Sequence, residues 1–307
     1  MTTTDQLNGA QKASVPAPTY LPLTGSLLLT FRELWAMKIT QGIVLVSTLA
    51  WILLSFAMNL DVVEGSLAAV RIFGFDAGAD ELVKDPQTGE FVRQAISVDK
   101  FIVGISSFVF GAAYFLGTLL GLFATMPLIG GFLEQGRIDL LLSKPLSRNR
   151  LLSGHLLGVL LTVLALSTYL ILGVWMALSI KTGIWIPKML TSIPLIVVMF
   201  AVMYSVIFTL SILTRSTGLA LIIAYGLIFI SAILAAHEQL TPVLSPSAAF
   251  VYNSFYHLLP NFIEVVAIQA KLVTGEAVTS WYPFFSSVAF GSVVYGLGYF
   301  WFNRKDF

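Results

Sequence analysis

Six stretches of this 307-residue chain are apolar, nearly free of ionisable groups, and long enough to cross a bilayer. Ile39–Leu60 runs 22 residues without an ionisable side chain, and Phe101–Leu133 runs 33. Leu151–Ile180 contains only His155. Met189–Thr214 and Ser216–Ala236 are separated by the single charge of Arg215, and the last stretch centres on Phe284–Phe302. A helix needs about 20 apolar residues to span the hydrocarbon core, so each stretch suffices. The second and third exceed the need and are expected to tilt or project. Only 11% of the chain is charged, against roughly 25% in soluble domains. A water-facing fold is therefore excluded.

Lysine and arginine set the expected orientation. With both ends of the chain inside, the inner segments hold ten basic residues: Lys12, Arg32, Lys38, Arg137, Lys144, Arg148, Arg150, Arg215, Arg304 and Lys305. They hold five acidic ones: Asp5, Glu33, Glu134, Asp139 and Asp306. The outer segments keep the other seven basic and eleven acidic residues, so the inside is +5 and the outside −4. That asymmetry follows the positive-inside rule.

The segments between the spans have their own character. Residues 1–20 are polar, contain no signal-peptide core and are expected to form a disordered cytoplasmic tail. The remainder, 21–307, reads as a single transmembrane domain. Over Leu21–Lys38, Leu27, Phe31, Leu34 and Trp35 fall on one helical stripe, which predicts a helix lying in the inner interface. The outer segment 61–100 carries eight carboxylates, the alternating run Arg71-Ile72-Phe73-Gly74-Phe75 and a hairpin-turn sequence at Asp85–Gly89. These predict a small, partly β cap. The outer segment 238–281 is apolar but broken by Pro242, Pro246 and Pro260, which predicts short re-entrant helices. Within it, Asn261 and Glu264 have capping-box spacing, and Gly275 marks a helix end. Gly104, Gly111, Gly117 and Gly121 on the second span predict close helix approach.

Little of the chain is suited to catalysis. There are no cysteines, which removes thiol chemistry and zinc–thiolate sites. None of the nine lysines follows a glycine, so no phosphate-binding loop is present. No span carries Asp, Glu, Lys or Arg in its middle, which counts against an ion-coupled transporter. His237, Glu238 and His257 are the only candidates for a metal site. Interfacial histidines with local hydrogen bonds are the simpler reading, so no metal, cofactor or catalytic residue is assigned.

The informative stretch lies between the second and third spans, over 131–150. Gly130-Gly131 is expected to break the second span as it leaves the membrane. Glu134 to Leu142 then reads as a short helix with Ile138, Leu141 and Leu142 on one side and charges on the other. Pro145 ends it by disfavouring the helical conformation of Lys144, and Ser147 is placed to cap the third span. A short amphipathic helix fixed at both ends suits docking against a soluble partner.

At this stretch the sequence resembles the ABC-2-type permeases, the membrane halves of exporter-class ABC transporters. Glu134, Gly136, Arg137, Leu141, Leu142, Pro145, Leu146, Ser147, Arg148 and Gly154 carry the resemblance. His155 departs from it, standing where that family often has Lys. The ending Phe302-Asn303-Arg304-Lys305-Asp306-Phe307 is also similar. The resemblance implies an all-α polytopic membrane protein. It would have six transmembrane helices, an N-terminal interfacial elbow helix, a cytoplasmic coupling helix and outer re-entrant helices. It implies an ATPase-coupling site at Glu134, Gly136, Arg137, Asp139, Leu141, Leu142, Lys144, Pro145 and Arg148. The implied partners are two separate ABC ATPase subunits, which would bind ATP and Mg, together with a second permease copy or homologue and membrane lipid. Nucleic acid is not among them. The expected location is the plasma (inner) membrane, with a pathway at the dimer interface bounded by the first, second and fifth spans. Two rivals stay open at this point: a non-transporting membrane scaffold or sensor using the same loop, and a membrane-embedded enzyme.

Overall fold

Charge-free runs become helices because a backbone without water must satisfy its own hydrogen bonds. The computed structural model describes residues 22–63, 66–72, 75–76, 80–84, 90–134 and 148–305. Among them are six helices long and apolar enough to cross a membrane. The first is α2 (Lys38–Ile52), extended by a π-helical turn, Leu53–Ala57. Then come α3 (Val98–Phe132), α4 (Arg148–Thr182) and, led by a 3-10 turn at Pro187–Thr191, α5 (Ser192–Thr214). The fifth and sixth are α6 (Thr217–Leu234) and α10 (Tyr282–Arg304). At 35 residues, α3 and α4 are each about 52 Å long, well beyond the ~30 Å hydrocarbon core. The first span stops short of its expected end, because Met58 to Leu60 belong to strand β1.

Helix α5 forms the core. Phe200, Met203, Tyr204, Ile207 and Phe208 are fully buried there. Its tightest neighbour is α10, where Gly291 and Gly298 let the two backbones approach. A methyl added at Gly298 would lie 2.6 Å from Thr209 and 2.7 Å from Phe208. The same contact carries two interhelical hydrogen bonds, from Thr209 Oγ1 to the Val294 carbonyl (2.8 Å) and from Tyr295 OH to the Ala201 carbonyl (2.9 Å). Small residues and polar bonds of this kind hold helices together where lipid removes the hydrophobic driving force. On α3, Gly121 packs this way against Phe200, whereas Gly104, Gly111 and Gly117 face open space. The expected glycine stripe thus reduces to one contact.

The end of the bundle that carries α1 (Pro22–Ala36) and the end of α10 is termed the terminal face. Helix α1 lies against α4 through Thr30 and Leu34, both buried. The expected stripe splits: Phe31 and Trp35 stack on each other at 6.2 Å and face outward.

On the opposite, distal face, β1 (Met58–Val63), β2 (Ser66–Ile72) and β3 (Phe75–Asp76) form an antiparallel sheet with an irregularity between Asp61 and Val62. The run 71–75 is not one strand. Ile72 pairs with Phe75, so the chain reverses between them. Strands β4 (Asp80–Lys84) and β5 (Phe91–Ala95) form a hairpin closed by Lys84 opposite Phe91. Its expected turn, 85–89, lies outside the described residues.

Three short helices follow α6: α7 (His237–Leu240), α8 (Pro246–Leu258) and α9 (Phe262–Thr274). The α8–α9 elbow is set into the bundle. Asn261 N–H donates to Ser287 Oγ of α10, and Ile263 N–H donates to Ser231 Oγ of α6. Ser287 and Ser231 each sit about one turn from the distal end of their helix. Pro260, Asn261 and Phe262 are buried there, as irregular backbone at membrane depth must be. The expected capping box is absent. Asn261 turns its amide to the Tyr256 carbonyl and Ser286 Oγ, while Glu264 accepts from the Tyr256 hydroxyl. The helix does end at Gly275, in the left-handed region at φ 78°.

Candidate functional site: the terminal face

Two anchored ends define the stretch between α3 and α4. Gly130-Gly131 does not break α3, which continues to Phe132 and closes when Leu133 N–H donates to the Ile129 and Gly130 carbonyls. Gly130 instead gives close approach to Thr217 at the start of α6, where an added methyl would sit 3.3 Å away. The end of α3 is thereby held beside the α5–α6 turn. Glu134 follows, exposed at the face. At the other end, Arg148 opens α4 and donates from Nη1 to the Lys305 carbonyl at 3.1 Å. The rest of the expected coupling site (Gly136, Arg137, Asp139, Leu141, Leu142, Lys144 and Pro145), with the expected capping residue Ser147, lies outside the described residues.

Below Arg148, Leu151 and Leu152 are buried in the bundle. His155, one turn further, is buried with its ring stacked on Phe132 (5.2 Å) and its Nδ1 3.4 Å from Thr30 Oγ1. It joins α1, the end of α3 and the start of α4.

The sequence marked Lys305 as an inner charge in a family-like ending and Arg215 as the single charge between two spans. In the structure Lys305 leaves α10 with its N–H still donating to the Trp301 carbonyl. Its ammonium donates to the Ile212 carbonyl and, at 3.3 Å, to that of Leu213. Both carbonyls lie in the last turn of α5, where the helix leaves acceptors unpaired and its dipole favours a cation. Burial, and after it the charge of Arg215, lowers Lys305 below the usual lysine range. Arg215 itself sits in the left-handed conformation at φ 55°, where helix ends usually place glycine. Thr214 and Ser216 support the turn: Ser216 N–H donates to Thr214 Oγ1, and Ser216 Oγ accepts from Leu219 N–H. Arg304 lies over the Phe300 ring at 4.1 Å. The signal available in the sequence was the Arg304-Lys305 pair directly after a charge-free span.

The distal face holds the histidines apart. His237 Nδ1 lies 3.3 Å from Glu264 Oε1, and its ring stacks on Tyr256 at 3.9 Å. His257 instead hydrogen-bonds the Tyr282 hydroxyl. Burial, and then the bond to Glu264, raises the Tyr256 hydroxyl well above the usual tyrosine range. Among the described residues no three metal-ligating side chains come together. Within the membrane, a cleft between α2, α3, α4 and α5 is lined by Ile43, Ser47, Gly117 and Leu170 and holds no charged residue.

Six helices long and apolar enough to cross a membrane define a multi-pass membrane protein. The chain belongs to the ABC-2 family transporter proteins, whose profile matches residues 31–307. No individual curated protein matches it. The match agrees with the resemblance carried by the 131–150 stretch. It makes this chain a membrane permease of the ABC-transporter class, a family that generally works with ABC ATPase partners.

Proposed function

We propose that this chain is the permease half of an ATP-driven exporter, inserted in the plasma (inner) membrane with the terminal face in the cytoplasm. Two copies, or one copy and a homologue, assemble with two separate ATPase subunits that bind ATP and Mg. The stretch 131–150 is the coupling segment, with Glu134, Gly136, Arg137, Asp139, Leu141, Leu142, Lys144, Pro145 and Arg148 as its working residues. The observation that carries this reading is the anchoring of that stretch at both ends, by Gly130 on Thr217 and by Arg148 on Lys305. A connector under no load needs neither. The charge balance of +5 within and −4 outside supports the orientation.

The test is assembly and hydrolysis in matched membranes. Glu134→Ala, Arg137→Ala and Asp139→Ala are expected to insert normally and to lose ATPase co-purification or stimulated hydrolysis. Truncating one side of a buried interfacial charge pair costs about 2–5 kcal/mol. If all three variants keep both readouts at the unmodified level, the coupling role is wrong. Because the chain has no cysteine, single cysteines at Thr88 and Asn149 also test the orientation. Only Thr88 should react with an impermeant reagent added outside.

A further inference from the structure

One residue on the terminal face touches three separate segments. Lys305 accepts from Arg148 through its carbonyl, caps α5 through its ammonium, and closes α10 through its N–H. The partners lie 157 and 93 residues away in sequence, so neither contact is a by-product of local chain geometry. We propose that Lys305 is a positioning residue that fastens the start of α4 to the ends of α5 and α10, so that the three move as one body when the coupling segment is displaced. The proposal rests on the reading of 131–150 as that segment.

The physical argument concerns stiffness. Arg148 stands at the exit of the coupling segment, so a displacement of that segment reaches α4 here, as it reaches α3 at the other end. The described contacts give α4 three polar ties near this end. One is His155 with Thr30, which leads to α1. Another is Ser153 Oγ with the Tyr299 hydroxyl, 2.8 Å apart, which leads to α10 alone. The third is Arg148 with Lys305, which reaches both α5 and α10. Helix α5 is the buried centre of the bundle, joined to α10 along its length by Gly291, Gly298 and two interhelical hydrogen bonds. A pull arriving at Lys305 is thus passed to the buried centre of the bundle. The ammonium sits on carbonyls that α5 leaves unpaired, and a methionine there would strand both. Arginine keeps the charge and the reach. Burial and the charge of Arg215 lower the proton affinity of Lys305, whereas the two carbonyl acceptors favour its charged form.

The experiment uses the full chain assembled with its ATPase. Spin labels are placed at Asn149→Cys and Asn303→Cys, both exposed in an otherwise cysteine-free chain. The distance between them is measured without nucleotide and after trapping with ATP and vanadate. The unmodified contact should give one narrow distance in both states. Lys305→Met should broaden or shift it on trapping, and should lower permease-dependent ATP hydrolysis at least fivefold, the lower end of typical coupling effects. Lys305→Arg should restore both. Arg148→Met, which leaves the cap on α5 intact, should broaden the distance in the same way and serves if Lys305→Met fails to fold. A single unchanged distance through trapping in the methionine variants overturns the proposal. If the unmodified chain fails to retain an ATPase, the reading of 131–150 fails instead. The nucleotide-free distance then still shows whether Lys305 holds the segments together, and a distance unchanged in the methionine variants overturns that too.

Discussion

The fourth and first spans have similar composition and opposite surroundings. Over an 18-residue window of each, mean hydropathy is 2.5 within Pro187–Thr214 and 1.9 within Lys38–Phe56, yet 78% of the first window is buried inside the molecule and 11% of the second. In water such a difference would follow apolarity. In a bilayer it cannot, because lipid tails are as apolar as leucine. What puts α5 at the centre is the shape and polarity of its neighbours: Gly121, Gly291 and Gly298 open room for it, and Tyr295 bonds its backbone. Helix α2 meets the bundle along a narrow line through Thr40, Ser47 and Trp51 and turns Leu45, Val46, Leu49 and Phe56 outward.

The largest effect should come from closing the space that α5 needs. Gly298→Leu drives a side chain into Thr209 and Phe208, and overpacking typically costs about 1–3 kcal/mol or more. The expected outcome is loss of folded protein, read as the monodisperse fraction after extraction. Normal yield and melting would show that the α5–α10 contact is not the core.

Next in size is a change expected to stabilise. Gln269 on α9 is 2% exposed, and neither end of its amide finds a partner. A buried polar group left unsatisfied costs about 1–3 kcal/mol. Gln269→Leu should therefore raise the melting temperature of the purified chain. A lower melting temperature would mean that an internal water or a second conformation satisfies the amide.

A smaller loss is expected where one bond is removed and the packing is kept. Tyr295→Phe deletes the hydroxyl that bonds the Ala201 carbonyl, and interhelical bonds in membranes are worth about 0.6–2 kcal/mol. A modest drop in melting temperature is the expected reading. A loss as large as that of Gly298→Leu would mean that hydrogen bonding, not close approach, dominates this contact.

The sequence revealed what solvent dictates and hid what partners dictate. All six spans were legible, because a charge-free run of sufficient length has one low-cost environment. The end of α9 at Gly275 was legible for a local reason, its left-handed φ. The capping box failed because Asn261 had better partners in α8 and α10 than in its own helix, and no local spacing reports them. Arg71, Ile72 and Phe75 lie in strands, as the alternation suggested, but alternation does not show where the chain reverses. On the terminal face, the place of Arg148 at the edge of the third span was legible. Lys305 as a hub was not, since its bonds reach residues 93 and 157 positions away.

The smallest effects are expected on the outward side of α2, and they test the comparison most directly. Leu49 is 53% exposed and Phe56 79%. In a soluble protein, leucine to alanine in a core costs about 2–5 kcal/mol. Here both the folded bundle and the separated helix leave these side chains in lipid, so the transfer term nearly cancels. Leu49→Ala and Phe56→Ala should shift the melting of the isolated chain by no more than about 0.5 kcal/mol, the usual range for surface changes. Trp51 is the internal control on the same helix. Its ring lies where a methyl on Gly173 would meet it at 2.7 Å, and it meets Tyr169 edge-on at 6.5 Å. Trp51 is half-buried, and Trp51→Ala should cost more than either, about 1–2 kcal/mol, within the usual range for lost packing. The same variants also examine the proposed pathway, which places the first span at a permease–permease contact. If Leu49→Ala leaves melting unchanged but lowers the dimer fraction of the assembled transporter, that side of α2 is covered by the second permease. If both melting and dimer fraction are unchanged, lipid covers it and the dimer forms elsewhere. If Leu49→Ala destabilises the isolated chain as much as Trp51→Ala, the first span is packed on both sides, and the contrast with the fourth span breaks down.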